Sequence, residues 1–277
     1  MNEAITGFPA RLHILLASKA PLGLVIRRGP SKTVATLLWD RRNDTFKLGQ
    51  WMKGRIYERR SDLSPDGKHL IYFAMNGKWS GEAKGAWTAI SHAPYLRATN
   101  LFPKGDCWNG GGLWTGAKSY WLNDGYGHGL LRSTSDVQRD EKFERPQLGN
   151  NEDLGVYFPR LIRDGWQMIA DHNPAAKAAR VVFEKPLAKG WTLRKIAHAG
   201  GGRSAGKGVY WDEHQLIKND IEIDCPDWEW ADIDVNRLVW ATKGKLFCGD
   251  LNKQGITGEA ELYDFNQMTF EALEAPY

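Results

Sequence analysis

Apolar positions along this chain come in short runs, each long enough for a strand and bounded by Gly, Pro, Asn or Asp. Nowhere do they settle into a 3.6-residue stripe of more than about ten residues, so the pattern predicts strands rather than helices. Five pairs of runs read as hairpins of one kind. Arg11–Ala17 turns near Ala20-Pro21 into Leu22–Ile26, and Arg59–Leu63 turns at Pro65-Asp66-Gly67 into His69–Ala74. Gly112–Trp114 turns near Ala117 into Ser119–Leu122, Tyr157–Ile162 turns at Arg163-Asp164-Gly165 into Trp166–Ile169, and Trp230–Asp234 turns at Val235-Asn236 into Arg237–Ala241. Further strand candidates lie between them, at Thr33–Trp39, Thr45–Trp51, Ala86–Ile90 and Leu130–Ser133, and two alternating runs, Glu261–Asn266 and Met268–Leu273, end the chain.

The first four turns are spaced by the roughly 40–50 residues that a four-stranded propeller blade takes up. The last step is longer and holds Gly200–Gly208, read as a loop, and Val209–Ile217, read as an outer strand. The expectation is therefore all-β: one domain over residues 1–277, a five-bladed β-propeller of four-stranded antiparallel blades, divided near 9–53, 54–104, 105–148, 149–218 and 219–277. A two-sheet β-sandwich explains the strands but not their regular grouping. The string Asp62-Leu63-Ser64-Pro65-Asp66-Gly67-Lys68-His69-Leu70-Ile71-Tyr72-Phe73-Ala74 resembles the first hairpin of a blade in TolB-type and WD-repeat-like bacterial propellers.

Composition supports this picture. Thirteen Trp with 30 Gly and 12 Pro suit short half-buried strands joined by tight turns. Met1–Pro9 lacks the charged and apolar regions of a secretory signal, and no apolar run approaches a membrane span, so a soluble cytoplasmic chain is expected. Cys107, Cys225 and Cys248 are odd in number and widely spaced, which reads as buried thiols rather than disulfides or zinc ligands. The net charge of +4 is spread among 33 acidic residues and does not by itself argue for nucleic acid. No cofactor is implied.

Gly201–Gly208 has the Gly and Gly-Lys spacing of a phosphate-binding loop, but Gly208 stands where a Ser or Thr is needed and Val209-Tyr210-Trp211 continues as strand, so no nucleotide is expected there. Propellers carry ligands on the axis. The residues placed beside inner strands are Arg59, Arg60, Asp62, Trp108, Asn109, Asp153, Arg160, Glu229, Trp230 and Asp232. Two axial carboxylates such as Asp62 and Asp232 would suit a hydrolase, as in arabinanase-like five-bladed glycosidases, although the motifs of those enzymes do not match. A basic patch of Arg27, Arg28, Lys32, Arg41 and Arg42 would suit nucleic acid if its members shared a face. His128, in Trp121–Gly129, is read as a turn residue, and Trp228 as core. The reading reached is a non-catalytic binding or scaffold propeller, with no membrane contact and a protein partner gripped by axial Arg and Trp. A small ligand or glycan, a carbohydrate-active hydrolase and nucleic-acid binding are the alternatives.

Overall fold

The computed structural model describes residues 8–30, 32–125, 127–146, 155–172, 179–199 and 208–277. Asp153 and most of the Gly-rich segment, residues 200–207, lie outside them. Among the described residues the chain is all-β, built as five sheets that follow one another along the sequence and are antiparallel except for one pair in the third.

The first sheet runs in chain order through β1 (Arg11–Leu16), β2 (Leu22–Arg28), β3 (Thr33–Asp40) and β4 (Thr45–Lys53). The second holds β5 (Arg55–Leu63), β6 (His69–Met75), β7 (Ala86–His92) and β8 (Asn100–Pro103). Its 64–68 turn is tied by the Ser64 hydroxyl, which donates to the Asp66 carboxylate at 2.6 Å and accepts the backbone N–H groups of Lys68 and His69. Gly67 takes the positive φ that the turn requires.

The third sheet is β9 (Gly112–Trp114), β10 (Ser119–Leu122) and β12 (Gln138–Arg139), with β12 parallel to β10. The intervening β11 (Arg132–Ser133) crosses to the edge of the second sheet instead. The fourth sheet is β13 (Gln167–His172), β14 (Ala179–Pro186), β15 (Thr192–Ala199), β16 (Tyr210–Lys218) and β17 (Ile221–Cys225), so it reaches past residue 218. The fifth is β18 (Trp228–Asp234), β19 (Arg237–Thr242), β20 (Lys245–Leu251) and β21 (Ile256–Asp264). Among the described residues only the first and fifth sheets have the expected four strands; the others have five, three and five.

The fourth hairpin is not formed. Tyr157–Arg163 is a helix, α1, and Asp164-Gly165 is its C-terminal cap, with Gly165 at φ +90°. Two features of the sequence decide this. Pro159 has no N–H to give a central strand but is tolerated in a first helical turn, whose N–H groups lack intrahelical partners anyway. Burial of Tyr157, Phe158, Arg160 and Leu161 then gives the short helix one covered face. It packs on the fourth sheet, whose strand β15 alternates strictly between half-buried and buried positions.

Apolar clusters join the sheets. Leu24 and Ile26 meet Ile56, Leu70 and Tyr72 between the first and second, and Ile71 and Ile90 meet Trp114 and Leu122 between the second and third. Phe183 and Leu193 meet Leu238 and Trp240 between the fourth and fifth. Trp230 and Val239 meet Val25 and Trp39, so the last sheet packs on the first. This is the layout of a β-propeller.

The end of the chain departs from expectation. Met268–Leu273 forms no strand; the tail crosses from the fifth sheet over the first to the second. Arg27 donates to the carbonyls of Phe265 and Met268, Gln50 to that of Leu273, and the Tyr277 hydroxyl to that of Arg97. Cys225 is buried and Cys248 half-buried, but Cys107 is exposed, so the three are not uniformly buried thiols. No helix among the described residues is long and apolar enough to cross a membrane.

Candidate functional site at the axial cavity

Side chains from β1, β5, α1, β14, β15 and β18 converge on a cavity of about 560 Å³. A smaller one of about 200 Å³ opens beside it, lined by Arg28, Glu58, Arg59, Asp212 and Glu229 among others. His13 lines both, and so stands between them. The larger volume lies in the range that small-molecule sites occupy.

The larger cavity has apolar walls from Ile14, Leu16, Leu161, Trp230 and Ile233, and a charged floor. Each of its carboxylates is tied down. Asp62 takes a two-pronged ion pair from Arg163, at 2.5 and 2.9 Å, and accepts the backbone N–H groups of Trp114 and Leu63. Asp164 pairs with the same Arg163 at 2.9 Å. Asp232 pairs with Lys185 at 2.6 Å and accepts the N–H of Ile233 and the indole N–H of Trp166. Arg41, also at the cavity, pairs with Asp234 at 2.8 Å.

The groups beneath carry their own network. Arg160 donates to the carbonyls of Glu58 and Ser61, and its guanidinium lies 3.0 Å from His13 Nε2. Arginine has only donors, so this nitrogen accepts and the imidazole carries its hydrogen on Nδ1. Burial first, then the positive fields of Arg160 and Lys195, drive the His13 pKa well below its ordinary value. The ring is neutral at physiological pH.

No protein-family model matches the chain, and no curated protein matches it. It is similar to the β-propeller domain, of open velcro topology, of the Trilobed protease from Pyrococcus furiosus, at 11% identity, 94% of this chain and 100% of that chain covered, and a TM-score of 0.35. A likeness of that degree carries no argument about the site.

Of the residues singled out from the sequence, Asp62, Arg160, Trp230 and Asp232 reach the larger cavity, while Arg59 and Glu229 reach the smaller. Arg60 is buried and clamps a loop, donating to the carbonyls of Cys107 and Asn109. Asn109 belongs to that clamp: Asn109, Gly110 and Gly111 all have positive φ, and a Cβ on Gly111 would overlap the Arg60 carbonyl oxygen. Trp108 is 58% exposed and lines neither cavity. Arg60, Trp108, Arg160 and Trp230 thus do not form one exposed face, because the two arginines and Trp230 are needed inside. Trp228 is likewise core, stacked on Trp240, and His128 is buried rather than exposed on a turn.

The basic residues do not share a face either. Arg27 and Arg28 end β2, whereas the backbone N–H of Arg41 bonds to Pro21 at its other end, about 20 Å away along the strand. Arg27 is buried over Trp51, Arg28 pairs with Glu58, Arg42 pairs with Asp40, and Lys32 borders a third cavity near Arg28.

Residues that sequence reasoning missed include Lys185, Lys195, Arg163, Tyr157 and His13. Lys195 had a readable signal: in Thr192–Ala199 it shares its strand face with Leu193, Ala197 and Ala199, an inward place where lysine is rare. The rim holds a second oddity. Val235 has φ +57° in the two-residue turn between β18 and β19 and is 83% exposed at the cavity mouth. Hairpins give that position to glycine, and a β-branched residue there is strained.

Glu229 makes the smaller cavity pH-sensitive. Burial pushes its carboxyl up to about 7, and one of its oxygens has no hydrogen-bond partner among the described residues. An acid whose pKa is raised on folding binds more protons folded than unfolded between about pH 4.5 and 7, so its contribution to stability is full below that window and lost as pH rises through it. Glu229→Gln removes this titration. Urea unfolding at pH 5 and pH 8 should show the variant gaining roughly 2–3 kcal/mol on the native protein over that interval; an unchanged difference would contradict the assignment.

Proposed function

We propose that the chain is a five-bladed β-propeller, closed by the packing of β1 on β18, that binds a small ligand in its axial cavity without transforming it. Its 64–68 turn and second sheet support a TolB-like reading of that blade. The observation that carries the function is the chemistry of the cavity: six elements contribute to it, its walls are apolar, and each of its carboxylates is committed to a cation. General acid–base hydrolysis needs one carboxyl that can hold a proton and another free to attack or to activate water. Asp62 and Asp232, bonded from several sides, suit a scaffold for a binding site better than such a pair.

The test is a small-molecule panel screened by thermal shift on the native chain and on Leu16→Trp, which places a bulky ring in the cavity from a half-buried wall position. Ligands of the native protein should lose about tenfold or more in affinity in the variant. Turnover of a glycan substrate that disappears in Asp232→Asn would instead establish the hydrolase.

A further inference from the structure

The cavity's charges do not balance. Arg41, Arg163 and Lys185 each face a carboxylate, and Arg160 is held by carbonyls and His13. Lys195 remains. It is only 2% exposed and lines the cavity, yet among the described residues it has no hydrogen bond and no carboxylate within ion-pair distance. Its ammonium lies over the Trp166 ring, 4.8 Å from the centroid. The nearest acids are spoken for: Asp212 accepts from Arg59 and Tyr157, and Asp232 from Lys185, Trp166 and Ile233.

A buried cation without a counter-ion is costly, and proteins avoid it unless something completes the site. Here the missing partner has a place to sit. We propose, building on the reading of this cavity as a ligand site, that it takes a small organic monoanion, whose carboxylate pairs with Lys195 and whose apolar body lies against Ile14, Leu161 and Trp230. One unpaired ammonium matches one negative charge; a dianionic phosphate would call for more free donors than the cavity offers. The strained and exposed Val235 at the mouth adds an apolar contact for the outer end of such a ligand. Trp166 and Lys185 hold the ammonium's surroundings in place, since Lys185 also lies over the Trp166 ring at 5.2 Å.

The experiment is calorimetric titration of the full chain with benzoate, benzamide and phenyl phosphate, together with thermal unfolding of Lys195→Met and Lys195→Gln without ligand. Benzoate should bind, benzamide about tenfold or more weaker, and both variants should lose the preference for the anion. Lys195→Met, which keeps the length of the side chain and deletes the buried charge, should also melt higher than the native protein. Equal binding of benzoate and benzamide, or a lower melting point for Lys195→Met, overturns the anion site while leaving a cavity that binds ligands. Tighter binding of phenyl phosphate than of benzoate overturns the carboxylate assignment. If none of the three binds at millimolar concentration and Leu16→Trp leaves every panel hit unaffected, the ligand-site reading itself falls.

Discussion

Asp62→Ala is expected to cost about 3–5 kcal/mol of unfolding free energy, because it leaves two buried backbone donors unmet and takes from Arg163 its two-pronged carboxylate, with Asp164 as the one that remains. Asp62 is 1% exposed and joins three parts of the molecule: β5, on which it sits, β9 through the Trp114 N–H at 2.8 Å, and α1 through Arg163. The indole N–H of Trp114 also donates to the Asp62 backbone carbonyl, which survives the substitution. Asp62→Asn should cost less, about 1–3 kcal/mol, since an amide oxygen still accepts a hydrogen bond and Arg163 keeps Asp164. Removing both charges in Asp62→Leu with Arg163→Leu should cost clearly less than the sum of the single changes, as each single change already breaks the same two-pronged ion pair. Urea unfolding of the native protein, Asp62→Ala, Asp62→Asn, the two single leucine variants and the double variant measures this directly. A cost below about 1 kcal/mol for Asp62→Ala would mean that the ion pair does not fasten the helix to the sheets.

How far the sequence reveals this molecule depends on where its signals are local. Period-two alternation and turn residues lie next to each other along the chain, and four of the five hairpins follow from them, that at 64–68 with the Asp66 bond to local backbone and the positive φ of Gly67. The fourth failed because Tyr157–Ile162 carries the apolar content of a strand, while its decision between strand and helix rests on Pro159 and on which neighbours cover it. The transfer of β11 to the second sheet has no local mark either. For the site, the repeat singled out Asp62, Arg160, Trp230 and Asp232, which line the larger cavity, although Arg160 comes to it from a helix and not from the expected strand, and it did not reveal their pairing. Arg163 meets Asp62 across 101 residues, and Arg59 meets Asp212 across 153. Asp62 and Asp232 do accept local backbone amides, as their place beside turns suggests, but the cations that hold them come from far along the chain. The informative residue was the inward-facing lysine, legible from strand alternation alone.

The second large effect is expected at Asp212, which lines the smaller cavity. Arg59 donates to it at 2.7 Å and the Tyr157 hydroxyl at 2.6 Å, and Arg59 also donates to the His198 carbonyl while lying over the Tyr157 ring. Burial by itself raises the Asp212 carboxyl, but Arg59 and then Lys195 hold it below the usual carboxylate range, so it is ionised in the folded chain. A carboxyl with a depressed folded pKa adds stability above its unfolded value, and that stability is lost as pH falls through the folded one. Asp212→Ala should cost about 3–5 kcal/mol at pH 7 by taking from the buried Arg59 the carboxylate it donates to, whereas Tyr157→Phe, which removes one hydrogen bond, should cost about 1–2 kcal/mol. Lys195 feels the same carboxylate without bonding to it. In a Lys195→Met background the chain has one fewer buried cation to leave uncompensated, so Asp212→Ala should cost about 1 kcal/mol less there than in the native protein. Chemical denaturation of the single and double variants gives that difference; additive costs would show that Lys195 and Asp212 act independently.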